Sequence, residues 1–223
     1  MIERALIFAA GRGERMRPLT DTTPKPLLVA GGKRLIEWHL ENLARAGVRE
    51  VVINTSHLAE QFPPALGDGS RWRLRIVYSY EGPEPLETGG GMLRALPLLG
   101  TDPFIAVNSD IRTDFDFATL PHDPPGLAHL IVVDNPPQHP DGDFVLHDGL
   151  LHDEPAQLLT FAGIGVYRPE LLVGQTAGKF GIVPILRAAM RDDRITGSHH
   201  RGNWFDIGTP QRLVELDQLL RTK

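Results

Sequence analysis

The sequence predicts an α/β protein whose mostly parallel sheet is flanked by helices, and three observations carry that reading. Short runs rich in Ile, Val, Leu and aromatic residues alternate with segments of helical periodicity. Several of those runs are continuously apolar, as strands covered on both faces are. The chain has 223 residues, enough for one substantial core with a smaller appended lobe and too few for two full domains.

Strands are expected at residues 5–10, 50–56, 75–81, 104–110 and 127–134. Between the first two, RLIEWHLENLARAG repeats Leu35, Ile36, Leu40 and Leu43 at helical spacing, and Gly47 supplies a stop. HLAEQFPPALGDGS is a poorer helix, broken by Pro63 and Pro64. GGMLRALPLL predicts a short helix ahead of the fourth strand. This alternation implies right-handed crossovers. Residues 134–157 are rich in Pro, Asp and Gly, and Asp148-Gly149 between apolar residues predicts a hairpin. TFAGIGVY returns as a strand, and GIVPILRAAM and PQRLVELDQLLRTK read as helices. Thr209 is placed to cap the last of these, with Pro210 at its first position. No repeat or linker divides the chain, so residues 1–223 are expected to form one domain. Its first half would span about residues 1–133, and an irregular lobe with the C-terminal helix would span about 134–223.

Composition removes several function classes. The absence of cysteine excludes disulfides, Cys-ligated zinc and thiol catalysis. A formal net charge of -5 argues against nucleic acid as a partner. No apolar run approaches the length of about 20 residues that spans a bilayer, so no membrane partner is expected. MIERALIFAA does not read as a secretory signal, and the expected compartment is the cytoplasm. The histidines at positions 57, 122, 129, 139, 147, 152, 199 and 200 are scattered and are read as structural or surface residues.

In open α/β sheets ligands bind beyond the carboxyl ends of strands, and four stretches lie there. GRGERMRPLTDTTPKPL follows the first strand. Its backbone N–H groups suit phosphate, and Arg12, Arg15, Arg17 and Lys25 can add charge-assisted bonds; a plain tight turn with solvated arginines accounts equally well for the glycines. Lys25 stands between Pro24 and Pro26, which stiffen the segment that aims it. PLETGGGML sets three glycines before a helix, either as an ordinary loop or as a place where a flat group approaches the backbone. FIAVNSD closes the fourth strand with Asp110, a turn former or a ligand for Mg²⁺. GNWFDIGTP places Asp206 ahead of the last helix, as a loop acid or a second metal ligand.

Taken in order, GRGERMRPLT with TPKPLL, then LETGGG, NSD and WFDIGTP, the chain resembles the sugar-1-phosphate nucleotidyltransferase family over residues 5 to about 220. The resemblance implies a Rossmann-like, glycosyltransferase-A-like sheet with a small sugar-binding lobe, and Mg²⁺-dependent transfer of a nucleotidyl group to a sugar-1-phosphate. Ala10, Gly11, Arg12 and Gly13 would wrap the nucleotide phosphates, and Arg15 and Lys25 would neutralise the triphosphate and the departing pyrophosphate. Leu86, Glu87, Thr88, Gly89 and Gly90 would lie against base and ribose. Asp110 and Asp206 would ligate the metal, and Asn108, Asp143, Gly163 and Trp204 would serve the sugar. The finer pattern of LETGGGML, HPDGDF and TFAGIGVYRPEL resembles members of that family that act in peptidoglycan recycling, and this resemblance implies UTP and N-acetylmuramic acid α-1-phosphate as substrates. GTP with mannose-1-phosphate, and a non-catalytic nucleotide-binding regulator, are the alternatives. Two departures stand out: Glu14 replaces a common Thr or Ser, and DEP at residues 153–155 lacks the lysine of the EKP segment of larger relatives.

Overall fold

In the computed structural model, which describes residues 1–155 and 158–221, the first apolar run forms β1 (Arg4–Phe8). A two-residue pair, β2 (Val29–Ala30) and β3 (Lys33–Arg34), leads into α1 (Leu35–Arg45). Then come β4 (Glu50–Thr55), the single-turn α2 (Phe62–Leu66), β5 (Arg75–Tyr80), α3 (Glu87–Leu99), β6 (Phe104–Asn108) and β7 (Ile111–Thr113). The second half supplies β8 (Ala128–Val133), β9 (Val145–His147), β10 (Leu150–His152) and β11 (Thr160–Tyr167). It ends with α4 (Val183–Met190), β12 (Ile195–His199), β13 (Trp204–Asp206) and α5 (Pro210–Arg221).

Among the described residues the main sheet runs β5-β4-β1-β6-β11-β8-β12-β10-β9. β5, β4, β1 and β6 are parallel neighbours, as is β12 to β8. β11 lies antiparallel to both β6 and β8, and β10 is antiparallel to β9 and β12. The alternation of β1 shows why both its faces are apolar. Ala5 and Ile7 pack with Ile36, Leu40 and Leu43 of α1, while Leu6 packs with Met92, Ala95 and Leu99 of α3 and with Leu186 of α4. A third, smaller cluster joins Leu213 and Leu216 of α5 to Met16, Ala30 and Ile207, fastening the last helix to the segment that follows β1.

The hairpin expected at Asp148-Gly149 is present, with φ of 48° and 79°, the pair of positive values that a two-residue type I′ turn needs. Thr209 caps α5, its hydroxyl accepting from the Arg212 N–H at 3.4 Å. Three expectations are corrected. Ser109 and Asp110 leave the strand and form the turn between β6 and β7. The helix expected from Gly90 starts at Glu87, so the glycines lie inside its first turns rather than before it. Between β4 and β5 the chain forms 3-10 turns around α2, because Pro63 and Pro64 occupy the start of the only helical turn there. Residues 156–157, expected in the irregular lobe, and 222–223, expected to continue the last helix, lie outside the described residues. No helix among the described residues is long and apolar enough to cross a membrane.

Candidate active site

Beyond the carboxyl ends of β1 and β6 lies a cavity of about 540 Å³, within the usual range for small-molecule sites. After Phe8 the chain leaves the sheet and winds through 3-10 turns at Glu14–Met16, Leu19–Asp21 and Lys25–Leu27. Gly13 closes this loop with φ of 63°, and a Cβ there would meet Thr20 Cγ2 at 2.9 Å. The Thr20 hydroxyl donates to the Gly13 carbonyl at 2.8 Å. Gly11 has nothing within 4 Å of where its Cβ would stand. Among the described residues the N–H groups of Gly11, Arg12 and Gly13 donate to no protein acceptor, which leaves them free for an anion. Ala10, Gly11, Arg12, Gly13, Arg15 and Lys25 all line the cavity.

Lys25 is nearly buried, and its Nζ donates to Asp110 Oδ2 at 2.7 Å. An ammonium so enclosed needs such a partner. The turn that carries Asp110 is held from behind by His39, whose Nε2–H donates to the Ile111 carbonyl at 2.9 Å. Burial pushes the His39 imidazole down to about 4, so the ring is neutral and its Nδ1 is buried without a partner. β7 then pairs with β13, setting Asp206 opposite Ile111, and the Ile207 N–H donates to the Asp110 carbonyl at 2.8 Å. The two acids expected to share a metal thus sit on neighbouring, bonded segments. Asp206 Oδ2 is held by Arg212 Nη1 at 2.5 Å. A Cβ at Gly208 would lie 3.3 Å from both Arg15 Nη2 and Asp206 Oδ1, so these side chains flank the same glycine. Two hard carboxylates beside free loop amides and cationic side chains are a donor set that suits a hard divalent cation, which binds through one or two carboxylates plus phosphate oxygens and water.

The second glycine run is built differently. The N–H groups of Gly89 and Gly90 donate to the Phe180 carbonyl at 3.0 Å, and the Ile182 N–H donates to Thr88 Oγ1 at 3.0 Å. A Cβ on Gly90 would stand 2.1 Å from the Gly178 carbonyl oxygen, one on Gly89 2.5 Å from the Phe180 ring, and one on Gly91 2.3 Å from Glu81 Oε1. Pro85, Glu87 and Thr88 line the cavity, whereas Leu86, Gly89 and Gly90 stand behind it. A buried chain joins the two walls: the Ala9 N–H donates to Asn54 Oδ1 at 2.6 Å, Asn54 Nδ2 to Glu81 Oε1 at 2.6 Å, and the Leu86 N–H to Glu81 Oε2 at 2.7 Å. Burial pushes the Glu81 carboxyl up, against the hydrogen bonds from Leu86 and Asn54.

The four residues expected on the sugar side gather around the start of β11. Gly163, with φ of 74°, lets Asn108 approach to 2.7 Å from where a Cβ would be, Trp204 Nε1 donates to the Ala162 carbonyl at 3.0 Å, and Asp143 Oδ2 accepts from the Phe161 N–H at 2.8 Å. Asn108 alone of the four lines the cavity.

Residues 4–124 match the nucleotidyl transferase family. The chain belongs to this family. It is 50% identical to the N-acetylmuramate alpha-1-phosphate uridylyltransferase of Neisseria meningitidis serogroup B over 97% of each chain. A Caulobacter vibrioides protein of the same name is 32% identical over 93% of this chain and 92% of its own. The mannose-1-phosphate guanylyltransferase catalytic subunit beta of Drosophila pseudoobscura pseudoobscura is 32% identical over 93% of this chain and 60% of its own. Among solved structures, that of a putative glucose-1-phosphate thymidylyltransferase from Bacillus anthracis shares the fold with a TM-score of 0.84 at 19% identity, covering 99% of this chain and 96% of that one. Within this nucleotidyltransferase, sequence reading passed over Asn54, Glu81, His39, Arg212 and Lys179. His39 had a signal, since it falls three residues after Ile36 and four before Leu43 on the apolar stripe of α1.

Proposed function

We propose that the chain transfers a uridylyl group from UTP to N-acetylmuramic acid α-1-phosphate, giving UDP-N-acetylmuramic acid and pyrophosphate. The observation that carries the reading is the convergence on one cavity of an open glycine loop, Arg15, Lys25 and the Asp110 turn, with Asp206 bonded alongside. The relatives named for N-acetylmuramate that align over more than nine-tenths of both chains support the choice of sugar and base.

The acceptor phosphate is already an anion at neutral pH, so attack on the α-phosphorus needs no general base. It needs positioning and cations that lessen repulsion between two polyanions. The N–H groups of Gly11, Arg12 and Gly13 cradle the triphosphate. Arg15 and Lys25 take the charge that moves onto pyrophosphate as the bond to the α-phosphorus breaks on the side opposite the attack. Glu87 and Thr88 face the nucleoside, with Gly89 and Gly90 behind them, and Asn108 faces the sugar with Asp143, Gly163 and Trp204 supporting that wall. Asp110 and Asp206 would hold Mg²⁺, which when bound supplies charge neutralisation at the phosphoryl oxygens.

Pyrophosphate release is measured across UTP, GTP and dTTP paired with N-acetylmuramic acid, N-acetylglucosamine, glucose and mannose 1-phosphates, with and without Mg²⁺. The expected result is fastest turnover for UTP with N-acetylmuramic acid 1-phosphate, and a fall of about 10³-fold in kcat for Asp110→Ala, in line with loss of a group that stabilises developing charge. Preference for GTP with mannose-1-phosphate, or full activity of Asp110→Ala, would overturn the reading.

A further inference from the structure

Arg12, Arg15, Lys25 and Lys179 line the cavity as its cationic side chains. Two are committed within the protein: Arg12 Nη2 lies 3.0 Å from Glu84 Oε1, and Lys25 Nζ lies 2.7 Å from Asp110 Oδ2. Among the described residues Arg15 has no acidic partner, and Lys179 has only Glu87, with Nζ 4.0 Å from Oε1, beyond hydrogen-bond reach. Arg15 belongs to the wall that carries the free loop amides. Lys179 belongs to the other.

The second half of the chain contributes Gly208 and Lys179 to the cavity lining, so Lys179 is the one side chain that it extends there among the described residues. Its backbone is fixed. The Phe180 carbonyl takes the Gly89 and Gly90 N–H groups, the Phe180 N–H donates to the Leu86 carbonyl at 3.1 Å, and the Ile182 N–H donates to Thr88 Oγ1. The Gly178 carbonyl occupies the space where Gly90 would carry a side chain. Gly89 and Gly90 are therefore the seat on which residues 178–182 rest. The Lys179 side chain itself is 58% exposed. A lysine held by its backbone, with its ammonium open to a cavity, is arranged to receive an anion bound there.

We infer that Lys179 recognises the acceptor's carboxylate, an inference that rests on the sugar proposed above. N-acetylmuramic acid differs from N-acetylglucosamine by a lactyl ether ending in a carboxylate. The phosphates of both substrates have Arg15, Lys25 and the loop amides on the opposite wall. The lactyl carboxylate is then the anionic group left without a cation, and among the described residues Lys179, whose one acidic neighbour Glu87 stands 4.0 Å away, is the cation of the facing wall left without a close partner. Lys179 is a specificity-determining residue.

The test reads affinity rather than turnover. UDP-N-acetylmuramic acid, UDP-N-acetylglucosamine and UTP are titrated calorimetrically into the wild-type protein, Lys179→Met and Lys179→Arg. The wild type is expected to bind UDP-N-acetylmuramic acid about tenfold more tightly than UDP-N-acetylglucosamine, the effect of one charged hydrogen bond. Lys179→Met is expected to bind the two alike with its UTP affinity held within about twofold, and Lys179→Arg to keep the preference. Equal loss for both products in Lys179→Met, which marks a diphosphate contact, or an unchanged preference, would overturn the inference. Wild-type protein that binds both products alike overturns it as well, even where pyrophosphate release shows N-acetylmuramic acid 1-phosphate to be the substrate. Absence of that release is the separate failure of the proposed function.

Discussion

Two glycine-rich segments border the cavity, one after β1 and one at the start of α3, and they use a missing side chain for different purposes. Gly11 opens onto empty space, and the amides around it have no protein acceptor among the described residues. Gly89, Gly90 and Gly91 are packed against Phe180, Gly178 and Glu81 at distances no Cβ tolerates. The first segment leaves its backbone bare, whereas the second lets the chain's own residues 178–182 settle onto a helix. Glycine content alone does not separate these roles, because both follow from what approaches the backbone, and for Gly89 and Gly90 the approaching partner is about ninety residues distant.

The largest expected effect breaks the comparison most directly. Gly90→Ala forces a methyl group into the Gly178 carbonyl, a backbone atom that cannot swing aside as a side-chain tip does. Overpacking of this kind costs about 3 kcal/mol, which lowers Tm by roughly 6–12 °C for a chain of this size. A thermal melt within about 1 °C of wild type would show that the segment carrying Lys179 moves freely on α3, and the second glycine run would then resemble the first.

The groups that brace the two walls also differ, with opposite signs in acid. His39 braces the Asp110 turn with its imidazole pushed down to about 4. The unfolded chain takes up that proton near 6.5 and the folded chain only near 4, so stability falls as pH drops through this interval. The loss is about 2 kcal/mol between pH 7 and pH 5. Glu81, which braces the α3 wall, has its carboxyl pushed up by burial, so the folded state accepts a proton more readily than the unfolded one and gains stability on acidification. Urea denaturation at both pH values checks the pair. His39→Gln flattens the acid loss, Glu81→Gln steepens it, and equal slopes in both variants would contradict the assignment.

How far the site could be read in advance follows the same division. The strands, α1, the Asp148-Gly149 turn and the phosphate-friendly loop rest on local chemistry: apolar runs, a helical stripe, positive φ and bare amides. Asp110 and Asp206 were legible as candidates because one closes an apolar run and the other stands just ahead of the last helix, but the β7–β13 pairing that joins them links segments more than ninety residues apart, which no local pattern encodes. Asp143 illustrates the converse. Its carboxylate serves the Phe161 N–H and His139, holding the lobe onto β11 rather than reaching into the cavity. Lys179 had no local signal, since its place depends on Gly89 and Gly90 in a different part of the chain.

The smallest expected effect isolates the first wall. Gly11 has no positive φ and nothing within 4 Å of its missing Cβ, so Gly11→Ala fits without strain, and it removes backbone freedom from the unfolded chain. Its Tm should match or slightly exceed wild type, a change of at most about 1 kcal/mol. The same methyl group projects into the space where the triphosphate is proposed to lie, and UTP affinity is expected to fall about tenfold, or about 1.4 kcal/mol. Melting and UTP titration of Gly11→Ala beside Gly90→Ala therefore give a crossed pattern, with ligand affinity lost in one and stability in the other. If Gly11→Ala loses stability as Gly90→Ala does, its open face is a packing feature. If it loses neither stability nor affinity, the triphosphate lies elsewhere, and Arg15 and Lys25 must hold it without the loop amides.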